Sequence, residues 1–483
     1  MSHGEALIVD GRSLSCADVV RVAGGDVPVV LAPDVMKAVH QVYETACAVS
    51  ATRPVYGRTT GVGANRDAIV GTSDAETHDL RLLLSHAAGV GAPLDYAVVR
   101  AAMVIRLNQL AAAGSGIHPR FVRALETALT TGAVPTVHDG GSIGTGDLPA
   151  LAEIALTLTG HLKWARGKVR PISLEPGDAL AFMSSNAVTL AQAILARDEL
   201  RRLLEASHAV TALSYCALGG SSEAFAEEVH ARRPHPGSVR AAALIRRLLW
   251  HEGDLSPGRR IQDPFGLRAF PQVHGPALDG VEQLGRILDI EVNAAAENPL
   301  IDVSTGAVFH HGHFSTAYPA LALDHLRAAV HHVAELSAAR LADLVEPDFT
   351  GLSPFLASGP PGSSGLMILE YVAHDALGRL RHSAGPVTLG TSVISRGVED
   401  HASFTPHAAR SAASAAANYR TVLACELIAA VQALRLADTA PRGKLLASVF
   451  TDVTDALPDI RTDHQLGDEI RIANRLVDRL AGI

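Results

Sequence analysis

Three glycine-punctuated stretches hold the side chains best suited to chemistry. Gly141-Ser142-Ile143-Gly144-Thr145-Gly146 runs into Asp147-Leu148-Pro149, a loop opening onto an apolar helix with an acid at the junction. Tyr56-Gly57-Arg58-Thr59-Thr60-Gly61-Val62-Gly63 puts a phenol on a second loop. Repeated glycine marks backbone that needs unusual angles or close approach. A free tyrosine titrates at about 10, so Tyr56 is a base only where its surroundings favour phenolate. Otherwise it is a tyrosine packed at the edge of a turn. His86 follows leucines in Leu83-Leu84-Ser85-His86-Ala87-Ala88-Gly89-Val90-Gly91. It is either a hydrogen-bonded structural histidine or a pocket wall.

Other candidates lie further along. Arg268 ends Gln262-Asp263-Pro264-Phe265-Gly266-Leu267-Arg268. Its planar guanidinium can make two parallel bonds to a carboxylate, of a substrate or of a structural partner. Glu399-Asp400-His401 groups three polar side chains, an arrangement that also suits a helix N-terminus. His310, His311 and His313 are neighbours, but with no cysteine or acid close by they make a poor ligand set, and no metal is expected.

These residues need a scaffold, and its pattern changes along the chain. The first part, 1–177, mixes short elements with glycine-rich turns. From Asp178 to the end, 178–483, long Ala/Leu/Arg segments follow one another. Leu323, Leu326, Val330 and Val333 recur at helical spacing, as do Val422, Leu423, Leu427, Val431 and Leu434. Such stripes are core or subunit-interface packing. The expected fold is mainly α, with a central bundle of long helices.

The 483 residues suffice for a large core, and an ordinary charged fraction indicates a globular chain. Lys37, Lys163, Lys168 and Lys444 are the only lysines, and the formal net charge is −9. No basic run points to nucleic acid. Cys16, Cys47, Cys216 and Cys425 are widely spaced, which reads as reduced, mostly buried thiols. No leader pattern is seen, no apolar run is expected to be long enough for a bilayer, and a cytoplasmic protein with no membrane partner is expected.

Taken in order, these segments resemble the aromatic amino acid ammonia-lyases and aminomutases, the histidine ammonia-lyases in particular. Asn298-Pro299-Leu300, the stretch to Phe314, and Val398-Glu399-Asp400-His401-Ala402-Ser403 extend the match. The resemblance implies a helical homotetramer in which several chains build each site. It also implies an Ala-Ser-Gly triad cyclised into a methylidene-imidazolone (MIO), an electrophile made from backbone. By the same resemblance Tyr56 moves a proton, with Glu399 or His86 as partner. His86 lines the pocket, Arg268 and Asn298 hold a carboxylate, and Phe314 lies near the electrophile.

Three positions depart from that pattern. The triad reads Gly144-Thr145-Gly146, in a loop one residue short. Met183 replaces an asparagine that would bond the MIO oxygen, and a thioether cannot donate. Phe265 replaces a tyrosine. All three belong to the electrophile side of the family's site. The expectation is therefore a diverged lyase without MIO, performing elimination, isomerisation or cyclisation on a small carboxylate-bearing substrate, aromatic or not. The alternatives are an MIO enzyme formed from Gly144-Thr145-Gly146 and a catalytically dead scaffold.

Overall fold

The computed structural model describes residues 5–25, 27–71, 75–249 and 257–483. Helices dominate, as expected, and the strands form only two-stranded sheets. The chain divides into two compact units. The first comprises 1–195, 285–323 and 386–410, and the second 196–284, 324–385 and 411–483. The expected linear cut after residue 177 is thus replaced by an interleaved division. The boundaries after residues 195, 284, 323 and 410 fall inside the helices Ala187–Leu218, Phe270–Glu291, Ala317–Val345 and Thr405–Leu436. Periodicity reveals each helix but not where along it the packing partners change.

In the first unit, helix Tyr96–Ala111 is buried on every face from Val99 onward. Such a helix must satisfy its polar side chains internally. Arg106 does so by donating to the carbonyls of Phe182 (2.9 Å) and Ala181 (2.5 Å) and to Glu297 Oε1 (2.7 Å). Burial presses the Arg106 guanidinium down and the Glu297 carboxyl up from their ordinary values, and their mutual attraction opposes both. A hairpin, Leu300–Asp302 against Ala307–Phe309, packs Ile301 and Val308 against Val42, Ala46 and Val55.

The acid at the loop–helix junction has a structural task. Buried Asp147 accepts from Thr189 N and Thr189 Oγ1, both at 2.7 Å. Thr189 lies in the first turn of Ala187–Leu218, whose free N–H groups favour a carboxylate. The glycine loop is thereby tied to the start of a long helix.

In the second unit, Arg340 pairs with buried Glu426 (2.6 Å), which also accepts from Ser214 and Ser337. The two leucine/valine stripes are buried, as their spacing predicts. Two expectations need correction. The stretch 178–218 is apolar and long enough to cross a bilayer by composition, yet 89% of its most apolar window is buried within the fold. Among the free thiols Cys47 is exposed and Cys216 half-buried; only Cys16 and Cys425 are fully inside.

Candidate active site

A cavity of about 740 Å³ opens within the first unit, and Tyr56, His86, Thr145, Met183, Asn298, Phe314 and Glu399 all line it. Residues as distant in sequence as Tyr56 and Glu399 are thus gathered by loops that end beside helices; no single element supplies the site. Gly144 and Gly146 lie buried beneath Thr145, at φ +92° and +126°, angles that favour glycine.

Tyr56 sits on a flap. Gly61 N donates to Ala68 O and Val70 N to Thr59 O, both at 2.9 Å, which folds 59–70 back on itself. At the tip, Gly63 N donates to the phenol oxygen at 2.7 Å. Burial pushes the Tyr56 phenol up from its ordinary value; the Gly63 N–H opposes this, the Glu399 carboxylate adds to it, and Arg66 lowers it. The net direction is upward, so the chain by itself keeps this group protonated.

His86 closes helix Ala75–His86. Its Nδ1 lies 2.8 Å from the carbonyl of Leu82, which can only accept, so Nδ1 carries the proton. Nε2 of the neutral ring is then an acceptor. Asn298 is fixed in the opposite sense. Its N–H donates to Ser184 Oγ (3.0 Å), and its Oδ1 accepts from His311 N (3.0 Å), which leaves Nδ2 as a donor. The histidines near it serve the walls: His310 Nε2 lies 3.5 Å from Tyr56 N.

The glycine loop is held mostly through its backbone. Phe404 N donates to Ile143 O (2.9 Å), Ser403 Oγ to Gly144 O (3.1 Å), Ser142 Oγ to Gly146 O (3.1 Å), and Asp147 N to Ser185 O (2.7 Å). A Cβ on Gly144 would stand 2.1 Å from Ser403 Oγ. Met183, fully buried, occupies the wall that Arg106 anchors through the carbonyls of 181 and 182. Phe314 is held by its carbonyl, which accepts from Asn186 Nδ2 at 2.7 Å.

Arg268 and Phe265 are the expected site residues that this cavity does not gather; they belong to the second unit. Arg268 Nε donates to Asp263 O (2.8 Å), and its guanidinium lies 4.4 Å from the centroid of the Phe265 ring. Among the described residues its two terminal nitrogens have no partner. Phe265 is 65% exposed. The guanidinium is thus preset by one backbone carbonyl and one aromatic ring.

Sequence reasoning missed the supports: Arg106, Ser184, Ser395 and Ser403. Ser403 could have been noticed, since it ends the segment that carries Glu399. Arg106 carries no such signal, because two of its partners are backbone carbonyls and the third, Glu297, is far away in the sequence.

Residues 14–455 match the aromatic amino acid lyase family. Histidine ammonia-lyase of Anaeromyxobacter dehalogenans (strain 2CP-C) is 35% identical, covering 98% of this chain and 99% of its own. The ergothionase of Treponema denticola, an ergothioneine-degrading enzyme, superposes with a TM-score of 0.93 at 25% identity, covering 99% of this chain and 100% of its own. The phenylalanine aminomutase of Pantoea agglomerans gives 0.92 at 27% identity, with the same coverage. The chain belongs to the aromatic amino acid lyase family. It is a lyase-type enzyme that acts on a small molecule.

Proposed function

We propose that this enzyme performs an elimination on a small carboxylate substrate bearing an azole ring, and that it does so without MIO. One observation carries the reading: a single cavity keeps Tyr56, His86, Asn298 and Glu399 while Met183 and Thr145 stand on its electrophile side. His86 Nε2 and the Glu399 carboxylate are both acceptors, suited to the N–H groups of a five-membered nitrogen ring. Asn298 Nδ2 supplies a donor for the carboxylate.

The residues present do not fit the MIO group. Alanine, the first member of the family's triad, has no room at Gly144 beside Ser403. Met183 offers no donor to an oxyanion. Thr145 would leave a methyl on the carbon to be attacked.

In the proposed step Tyr56 first loses its phenol proton to solvent, and the phenolate then takes the proton from the carbon next to the ring. That C–H pair becomes the new double bond, and the leaving group departs from the adjacent carbon with its bonding pair. With no electrophile to capture an amine, a permanently cationic leaving group is favoured, such as a quaternary ammonium that leaves as neutral amine. Ring N–H groups bound at Glu399 offset its negative charge, which eases formation of the phenolate. Arg268 is supplied by a neighbouring copy in a homotetramer. Its free terminal nitrogens and the exposed Phe265 beneath it support that reading.

The test is a panel of histidine, ergothioneine and phenylalanine, read by absorbance of the conjugated acid, alongside intact mass. Turnover of the quaternary substrate at the full sequence mass is expected. Turnover of histidine by protein two waters lighter would refute the proposal. That second reading, an MIO from Gly144-Thr145-Gly146, has one observation in its favour: Ser403 donates to the Gly144 carbonyl that ring closure attacks.

A further inference from the structure

The flap that carries Tyr56 is fastened at its tip by a residue outside it. Ala64 N donates to Ser395 Oγ at 2.9 Å, while its neighbour Gly63 N donates to the Tyr56 hydroxyl at 2.7 Å. Two consecutive amides are therefore fixed to two different side chains, and the distance between phenol and serine is set by one peptide unit. The approach is close enough to require glycine. A Cβ at Gly63 would stand 2.5 Å from Ser395 Oγ and 3.4 Å from Glu399 Oε1, and Gly63 itself has φ +54°.

The receiving segment is a tight turn. Ile394 N donates to Glu399 O at 2.8 Å, and a short 3-10 turn, Ser395–Gly397, closes between them. Ser395 and Arg396 have φ +52° and +56°, left-handed angles that cost a side-chain-bearing residue free energy. Asn and Gly are the usual occupants of such positions. A serine held there, with its hydroxyl on a loop amide, gains from the hydrogen bond what the backbone angle loses. The same turn presents Glu399 to the cavity.

We propose that Ser395 is a positioning residue, a latch that holds the Tyr56 flap shut and ties its closure to the turn that carries Glu399. The catalytic purpose of the latch rests on the proton-transfer reading of Tyr56; the latch itself does not. A ligand engaging Glu399 steadies the turn that holds Ser395, so occupancy of the ring-binding wall and closure of the flap become one event.

Hydrogen exchange on the full-length protein tests this without a substrate. Ser395→Ala removes the hydroxyl and keeps the strained angle. Ser395→Gly removes the hydroxyl and relieves the angle. Both should speed exchange of the amides at 62–66 by roughly 2- to 10-fold, the weight of one net hydrogen bond. Peptides from helix Tyr96–Ala111 should be unaffected. Ser395→Gly should melt no lower than Ser395→Ala, which separates the latch from general stability. Unchanged exchange at 62–66 in both variants overturns the latch. On a confirmed substrate, both variants should lower kcat more than they raise KM. Full turnover by Ser395→Ala on a substrate that Tyr56→Phe no longer converts overturns the positioning role. If Tyr56→Phe itself turns over normally while the flap exchanges faster, the latch stands and the proton-transfer reading of Tyr56 falls.

Discussion

Gly144→Ala is the most direct probe of the degenerate triad, because it restores the family's first residue. Two penalties add. At φ +92° a Cβ meets the left-handed cost, about 1–2 kcal/mol. The new carbon also falls 2.1 Å from Ser403 Oγ and 3.2 Å from Phe404 N, and overpacking of that kind costs about 1–3 kcal/mol. The sum is about 2–5 kcal/mol, a large share of typical protein stability. Ser403→Ala removes the closest obstructing atom. It also forfeits the bonds that Ser403 makes with Gly144 O, Thr316 and Thr405. Thermal melting at matched protein concentration then separates the two parts. Gly144→Ala should melt well below wild type, Ser403→Ala modestly below, and the double variant less far below than the two losses added. The steric part vanishes in the double variant and the φ part remains. Strict additivity would refute the steric account.

Four further outcomes are expected. Tyr56→Phe should bind substrate and keep the fold while losing about 10²–10⁴ in rate, checked by single-turnover kinetics. Glu399→Gln removes a charge that pushes the Tyr56 phenol up, so the rising limb of the pH–rate profile should move to lower pH; a limb that stays in place refutes that coupling. Arg268→Lys should weaken binding by about 1.5–3 kcal/mol through loss of the bidentate fork. Burial raises the Glu291 carboxyl from 4.5 to about 7, so the folded state holds a proton the unfolded state has released between those values. Stability is lost as pH rises through that window. Glu291→Gln should therefore stabilise the fold at about pH 8 by at most about 3 kcal/mol, read as a higher melting temperature, with a much smaller gain at about pH 5.

What the sequence revealed follows from the kind of signal each residue leaves. The stripes of Leu326, Val330 and Val333 or of Val422 to Leu434 repeat at helical spacing, and burial follows from that alone. Tyr56, His86 and Thr145 were legible in glycine-marked segments, Glu399 in a polar one, and Met183, Asn298 and Phe314 through the resemblance to the lyase family; one cavity collects them. Arg268 and Phe265 were legible as candidate site residues but not as members of another compact unit, since the interleaving happens inside continuous helices. The supports were hidden for a different reason. Arg106, Ser395 and Ser403 act on backbone amides and carbonyls of distant segments. Those partners have no residue identity for a sequence pattern to display.

That anonymity has a consequence for how such a site changes over time. Arg106 grips the carbonyls of Ala181 and Phe182 and the carboxylate of Glu297, so two cavity walls are braced without reference to the side chain at 183. Residue 183 is free to be exchanged while its wall stays where it is. A donor there can be traded for a thioether with no renegotiation of the frame. The brace makes the side chain at 183 a replaceable part of a fixed wall.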